Sequence, residues 1–560
     1  MPGEIRFNRT AALAAVVASG FSTGALAQTS ADLVASQKST KEILTYGMGY
    51  NAQRFSSLKQ INRKTVKDLV PAWAYGMSDV LGLEAQPLVH DGVIYITNHS
   101  RTAAIDGVTG KEIWRNDIEY PPETTRVVCC GIVNRGSALY DGKLIRGTLD
   151  DNMIALDAKT GKELWRTKIA DIEKGYSITG APLVADGVVI TGVAGSEFGV
   201  RGFLAGLDPA TGKELWRTYT IPAPGEKGSD TWQADSGLTG GGSTWVTGSF
   251  DPELHTVFWG VSNPAPWNPR GRKGDNLYTC GVMALDPKTG TVKWFSQTDP
   301  HDAFDHDGVN ALVQADMKIN GETKKVVMQA HRDGMLYVLD RTDGKFLAVN
   351  PFVKINWSDG WDYATNRPKW TDVYNKALAG EKVEVWPGLG GGTNWHPMSY
   401  SAADNLLFIN TFDIGMEYQA GEPRKVEAGQ PAQMITVKAI KPENQGYLKA
   451  VNPMTGKAKW EIPFHVANTA GTMNTAGGLV FTGQLTGEFI AVDTSNGKIL
   501  WKFQTPSGVV GQPVTWEKDG VQYVTVGSGI GGVYAMRTAA ADLTHVPTGS
   551  SLWTFKLHGK

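Results

Sequence analysis

The hydrophobic pattern of this chain is that of strands. Short alternating or wholly apolar runs bounded by Gly, Asp and Asn recur along it, for example Gly92-Val93-Ile94-Tyr95-Ile96-Thr97 and Gly187-Val188-Val189-Ile190-Thr191. Runs of that length and period predict strands rather than helices. Many are followed by one phrase: an apolar pair, an Asp or Asn, a Gly four residues later, and a Trp. It occurs at Ala104-Ile105-Asp106 to Trp114, Ala155-Leu156-Asp157 to Trp165, Gly206-Leu207-Asp208 to Trp216 and Ala284-Leu285-Asp286 to Trp294. It returns at Ala450-Val451-Asn452 to Trp460 and Ala491-Val492-Asp493 to Trp501, and without the Trp at Val338-Leu339-Asp340. The Asp or Asn caps the N–H groups of a turn, the Gly supplies positive φ, and the next strand carries the Trp towards a shared core.

Each unit is then a small antiparallel sheet of about four strands that cannot bury its own faces. Radial packing of such sheets makes a β-propeller. Trp73, in Leu69-Val70-Pro71-Ala72-Trp73, has no phrase before it, and the strand Gln522-Tyr523-Val524-Thr525-Val526 has no Trp after it. Joining the two ends closes an eighth blade. The expected fold is therefore all-β, an eight-bladed propeller. A seven-bladed ring with a stray N-terminal strand is the alternative, and a β-solenoid would need shorter, more regular repeats. Asp106, Asp157 and Asp208 are 51 residues apart, whereas Asp208 to Asp286 spans 78 and Asp340 to Asn452 spans 112. The surplus is inserted loop, such as the Glu-, Lys-, Pro- and Gln-rich stretch from Met416 to Gly446. Long insertions in a ring tend to gather on one face and shape a site; these carry Trp245, Asn263 and Asn394.

Composition agrees, with 66 Gly, 18 Trp and only 20% charged residues. A formal charge of −2 argues against nucleic acid as a partner. No apolar run beyond the N-terminus is long enough to span a membrane. Arg6 and Arg9, the apolar stretch Ala11 to Phe21, and Ala25-Leu26-Ala27 have the form of an export signal. Residues 1–27 are thus expected to be a signal peptide and 28–560 a single propeller domain, exported most simply to a bacterial periplasm. There are 3 cysteines, and no Cys-x-x-Cys-His for covalent haem. Cys280 stands alone and is expected to be a packed, inert thiol.

The candidate chemistry centres on residues 301–307, His-Asp-Ala-Phe-Asp-His-Asp. Asp305 and Asp307 could project together from a tight loop as hard oxygen ligands, completed by Glu197 and Asn263. Taken alone, an Asp-x-Asp is more often a turn that bonds its own backbone. His301 and His306 would suggest zinc, but neither suits an all-oxygen ligand set.

Four motifs in one order carry a resemblance: Cys129-Cys130-Gly-Ile-Val-Asn-Arg135-Gly; Gly195-Ser196-Glu197-Phe198-Gly199-Val200-Arg201-Gly202; Asn263-Pro-Ala-Pro-Trp267-Asn-Pro; and the acidic loop. Together they resemble the quinoprotein alcohol dehydrogenases, eight-bladed propellers that bind pyrroloquinoline quinone (PQQ). The resemblance implies that PQQ lies between Trp245 and a ring disulfide joining Cys129 to Cys130. Such a bond is strained, because adjacent Cα atoms lie about 3.8 Å apart, below the usual disulfide range of roughly 4.4–6.8 Å. Two free buried thiols are the alternative.

The same resemblance assigns cofactor contacts to Glu84, Arg135, Thr179, Gly195, Ser196, Arg332 and Asn394. Ala194 departs from the Ser frequent in calcium-type relatives. Metal ligands would be Glu197, Asn263, Asp305 and Asp307. Asp at 307, where calcium enzymes tend to have Ala, matches the lanthanide-dependent branch, and Ca²⁺ is the alternative. The implied reaction is oxidation of a small primary alcohol, ethanol-type and extending to methanol and aldehydes, by hydride transfer to a metal-activated quinone. Asp305 would be the general base, Arg332 would stabilise negative charge on oxygen, and a periplasmic cytochrome c would accept electrons. Trp267 and Phe304 are candidates for a substrate wall or for core. The sequence leaves oligomeric state open, a homodimer included. The rival class is a non-catalytic propeller scaffold for outer-membrane protein assembly, which would need none of these site residues.

Overall fold

The computed structural model describes residues 28–560 except 78–81, 122–123, 125–127, 129–130 and 234–235. The expected signal peptide and Cys129 and Cys130 lie outside the described residues. Among the described residues, seven four-stranded antiparallel sheets and one five-stranded sheet account for nearly all the strand structure, and all but one of the four-stranded sheets are built from strands consecutive or nearly so in the chain. Blade 1 is Leu88–His90, Val93–Thr97, Arg101–Asp106 and Glu112–Asp117. Blades 2 to 4 follow at 138–168, 183–219 and 249–297, blades 5 to 7 at 313–351, 399–464 and 473–504. The eighth sheet joins Val514–Lys518, Val521–Ser528 and Ser551–Leu557 to Leu69–Gly76, with Ala74 opposite Trp553. The chain thus closes its ring by pairing an early strand with the last one, as the unpaired Trp73 predicts.

In most blades the first three strands are buried, and in blades 1, 2, 3 and 7 the fourth mixes packed and solvent-facing positions; in blade 5 the first two strands extend into solvent at one end. The repeated phrase forms the turn before that fourth strand. In blade 1, Asp106 accepts the Thr109 N–H at 2.7 Å and the Thr109 hydroxyl at 2.8 Å, and Gly110 takes φ +73°. The Trp then packs on the next blade's turn. Trp114 donates to Ala158 O at 3.0 Å, Trp165 to Pro209 O at 3.1 Å and Trp216 to Pro287 O at 3.0 Å. Trp460 reaches Thr494 O at 2.9 Å, Trp501 reaches Leu69 O at 3.0 Å, and Trp73 reaches Gly107 O at 2.9 Å, which completes the circuit. Trp294 lies against Gly344. Blade 5, which has no Trp in its phrase, reaches the next turn through Asn350 alone, whose amide donates to Met454 O at 2.9 Å beside Gly456; the equivalent Asn116, Thr167, Thr218 and Ser296 of blades 1 to 4 also donate to the next turn, beside their Trp.

A fifth, parallel strand, Phe55–Ser56, is added to blade 7. Just before it Arg54 is fully buried and ties three blades together. It donates to Thr472 O at 2.8 Å, Gln86 Oε1 at 2.6 Å and Pro513 O at 2.7 Å. The long insertions are not all loop. Gly415–Ala420 and Ile435–Ile440, within the stretch read from sequence as loop, pair with Val383–Val385 in a separate three-stranded sheet. With the helix Asp372–Ala379 this sheet covers residues 303–304, because its Tyr418 and Tyr374 pack edge-on to Phe304. Polar surface residues hid that amphipathic pattern.

Gly161 has φ +71°, and a Cβ there would lie 2.4 Å from the Trp114 ring; Gly142 has φ +70° with nothing within 4 Å. Gly161→Ala should therefore lower stability by more than the roughly 1–3 kcal/mol of backbone strain alone, and Gly142→Ala by no more than that strain. Thermal unfolding of the two variants measures the difference; equal losses would show that the indole contact contributes nothing.

Candidate active site

A four-stranded meander places its second-to-third turn, and the links entering the first strand and leaving the fourth, at the same edge of the sheet. Nearly every candidate residue sits there. Glu84, Arg135, Thr179, Trp245, Asp305, Asp307 and Asn394 precede the first strands of blades 1 to 6. Gly195, Ser196, Glu197, Asn263 and Arg332 lie in the second-to-third turns of blades 3, 4 and 5. The phrase turns occupy the opposite face, so chemistry and ring closure are segregated.

Two neighbouring groups result. In the first, Arg332 bridges the acidic loop: its Nη2 lies 3.0 Å from Asp305 Oδ2, and its Nη1 bonds Asp307 Oδ2. Nη2 also donates to Leu389 O at 2.6 Å. The other Asp307 oxygen accepts from the Asn263 N–H at 3.1 Å and from the Ser262 hydroxyl. Asn263, Asp305, Asp307 and Arg332 are all nearly inaccessible. Burial and then the Asp307 charge push Glu197 up to about 7. Burial holds Asp305 well above the ordinary range, against Arg332 and with Asp307 and Glu197 adding to the rise. Asp305 and Asp307 thus share one guanidinium, whereas Glu197, Asp305 and Asp307 do not bring oxygens within 4.8 Å of one another as a set. Asp305 Oδ1 is buried with no hydrogen-bond partner.

In the second group, Arg135 is stacked between two indoles, 4.8 Å from Trp245 and 4.9 Å from Trp395. Its Nη2 pairs with Glu84 Oε2 at 3.0 Å, and burial raises the Glu84 pKa against that pull. Arg135 Nε, Thr179 Oγ1 and Arg332 Nε are buried without partners. Gly195, at φ +127°, has no room for a side chain: a Cβ would lie 2.2 Å from Gly175 O. Ser196 is committed within the protein, donating to Ser243 Oγ at 2.9 Å. Asn394 Nδ2 donates to Gly390 O at 2.9 Å. Trp395 was not singled out from the sequence; a Trp outside the repeated phrase, next to Asn394, was the available signal.

Phe304 is 1% exposed and belongs to the core with Tyr374 and Tyr418, so it forms no substrate wall. Trp267 stays partly exposed, and its Nε1 has no partner. Asp299, Asp302 and His306 form a further grouping, with ligand atoms within 4.8 Å of one another. Both Asp302 oxygens already accept backbone N–H groups, from Phe304 at 2.9 Å and His306 at 3.1 Å, and Asp299 faces His306 Nδ1 at 3.4 Å. That set shapes the 299–307 loop. Cys280 is a free, fully buried thiol whose pKa burial pushes well above its usual value.

With this geometry in place, the comparisons are specific. Residues 44–356 and 438–524 match the family described as PQQ glucose/ethanol/alcohol dehydrogenase, beta-propeller domain. The chain belongs to the PQQ-dependent alcohol dehydrogenases, and it is an enzyme of that class rather than a scaffold. It is 39% identical to the quinoprotein alcohol dehydrogenase PedH of Pseudomonas putida, over 94% of this chain and 93% of that protein. It is 40% identical to a quinoprotein ethanol dehydrogenase of Pseudomonas aeruginosa, over 97% and 95% respectively. Among solved structures, a europium-containing methanol dehydrogenase superposes with a TM-score of 0.89 at 32% identity, covering 94% of this chain and all of that one.

Cys280 should resist alkylation at pH 8 in the native protein and react fully once unfolded, because both access and thiolate formation are blocked. Peptide mapping after iodoacetamide treatment checks this; native labelling at Cys280 would contradict its packing.

Proposed function

We propose that this enzyme oxidises small primary alcohols to aldehydes with PQQ and a lanthanide ion bound on the loop face, the ion held by Glu197, Asn263, Asp305 and Asp307. The observation that carries the reading is the position of Asp307, beside Asn263 and on the same guanidinium as Asp305. A fourth oxygen-bearing side chain, and a third carboxylate, favours a trivalent over a divalent ion, since attraction scales with the product of charges. Its relatives support the same choice: one matched structure is a europium-containing methanol dehydrogenase. Ca²⁺ is the alternative occupant.

The residues present suit the cofactor. Buried donors without a hydrogen-bond partner on Arg135, Thr179 and Arg332 are what a flat polycarboxylate needs, and Trp245 has the flat apolar ring a planar cofactor stacks on, beside Arg135. Glu84 and Asn394 line the same face, and Cys129 and Cys130 are proposed as the other side of the cofactor sandwich. When bound, PQQ supplies the hydride-accepting quinone, and the ion makes it more electrophilic. Asp305 takes the alcohol's hydroxyl proton at Oδ1, the oxygen without a partner, while Arg332 holds Oδ2 and fixes the carboxylate's orientation. Burial makes Asp305 a stronger base than a surface carboxylate. Arg332, part of the same cluster, offsets negative charge that develops on the substrate oxygen. Export to the periplasm through residues 1–27, a single propeller domain over 28–560, and electron transfer to a cytochrome c complete the proposal.

Cation-free protein given PQQ with either La³⁺ or Ca²⁺, and assayed by dye reduction with ethanol and methanol, tests it. Activity is expected with La³⁺; activity with Ca²⁺ alone would overturn the ion assignment, and none with either would overturn the reaction. Asp307→Ala should lower La³⁺-supported activity by about tenfold or more, the scale of a lost metal-site group, a larger effect than its effect on folding, read as the thermal midpoint of the cation-free protein. An unaltered ion preference in that variant would remove Asp307 from the ligand set.

A further inference from the structure

We infer that Ser262 is a positioning residue that sets lanthanide affinity by locking two ligands of the ion, Asn263 and Asp307, to one another; this rests on the cation site proposed above. Ser262 is 1% exposed and lies one residue beyond the strand Thr256–Val261. Its hydroxyl oxygen lies 2.6 Å from Asn263 Oδ1 and also bonds Asp307 Oδ1. A hydroxyl has one proton, so it is shared in a fork between the two acceptors. The fork joins two chain segments some forty residues apart: Asn263 belongs to the turn of blade 4, and Asp307 to the link entering blade 5.

The base of the fork is rigid. Ser262 N donates to Ser243 O at 2.8 Å, and Ser262 O accepts from Cys280 N at 3.0 Å. The Asn263 N–H closes a second bond onto the same Asp307 oxygen at 3.1 Å. Asp307 is thus held on one oxygen by the Ser262-Asn263 pair and on the other by Arg332. Without the hydroxyl, the Asn263 amide would lose its nearest side-chain partner and Asp307 one of its two donors on that oxygen. Both would need to be ordered by the ion itself, which weakens binding. Because Ser262 acts partly through the additional carboxylate, its removal should affect a trivalent ion more than Ca²⁺.

The test is titration of cation-free protein with Tb³⁺, followed by tryptophan-sensitised luminescence, with Ca²⁺ measured by competition. Ser262→Ala should weaken Tb³⁺ binding about tenfold and Ca²⁺ binding less. In an Asp307→Ala background, the same substitution should change Tb³⁺ affinity by a clearly smaller factor, since the two side chains act as a coupled pair. Ser262→Cys, similar in size and a weak donor, should shift affinity in the same direction and serves if the alanine variant does not fold. Unchanged Tb³⁺ affinity, or an undiminished effect in the Asp307→Ala background, would overturn the role of Ser262. Equal losses for both ions with a lowered thermal midpoint would also overturn it, in favour of a scaffold role. Wild-type protein that binds neither ion would sink the cation site itself, and this inference with it.

Discussion

The structure depends on one repeated contact, an indole edge seated on the glycine of the neighbouring blade's turn. A four-stranded sheet has two apolar faces and no means of covering either, so no blade is stable alone. The contact fixes how far each sheet is rotated from the next, because the Trp N–H must find a turn carbonyl while its ring fills the space a side chain would take. The seam also carries a second bond: two residues beyond the Trp position, on the same face of the strand, Asn116, Thr167, Thr218 and Ser296 donate to the next turn beside their Trp, and Asn350 does so in blade 5 where the Trp is missing.

That arrangement also explains why the chemistry is assembled as it is. Strand direction alone delivers the links from six blades and the turns from three to one face, and the insertions roof that face with a sheet and a helix of their own. Asp305 and Asp307 are held there nearly out of solvent, where a carboxylate is costly unless it is paired. The region is stabilised by whatever positive charge enters it, and Arg332 supplies only one.

Much of this was legible in the sequence and some was not. The strands, the phrase turns and the closing of the ring by Trp73 followed from hydrophobic period and turn chemistry, which are local. The expectation that Glu197, Asn263, Asp305 and Asp307 serve one ion came from the order of the motifs and not from any local rule; of the four, the printed contacts join Asn263 to Asp307, and Asp305 and Asp307 to one Arg332. Other parts could not be read off. Ser262 looks like an ordinary polar strand end until Asp307 is brought against it. Trp395 is one Trp among 18. The strands Gly415–Ala420 and Ile435–Ile440 carry too many charged and polar residues to stand out. Phe304 faces Tyr374 and Tyr418, partners far along the chain, so whether it was wall or core was decided by tertiary packing.

The eighth sheet has a temporal consequence. Its outer strand, Leu69–Gly76, precedes every other blade, while its partner Ser551–Leu557 comes after all of them. During synthesis or threading through a pore from the N-terminus, that early strand waits with an unpaired edge until nearly the whole polypeptide has emerged. The ring is therefore an open arc for most of its assembly, exposed to mispairing, and a chaperone or a fast transit is worth most during that interval.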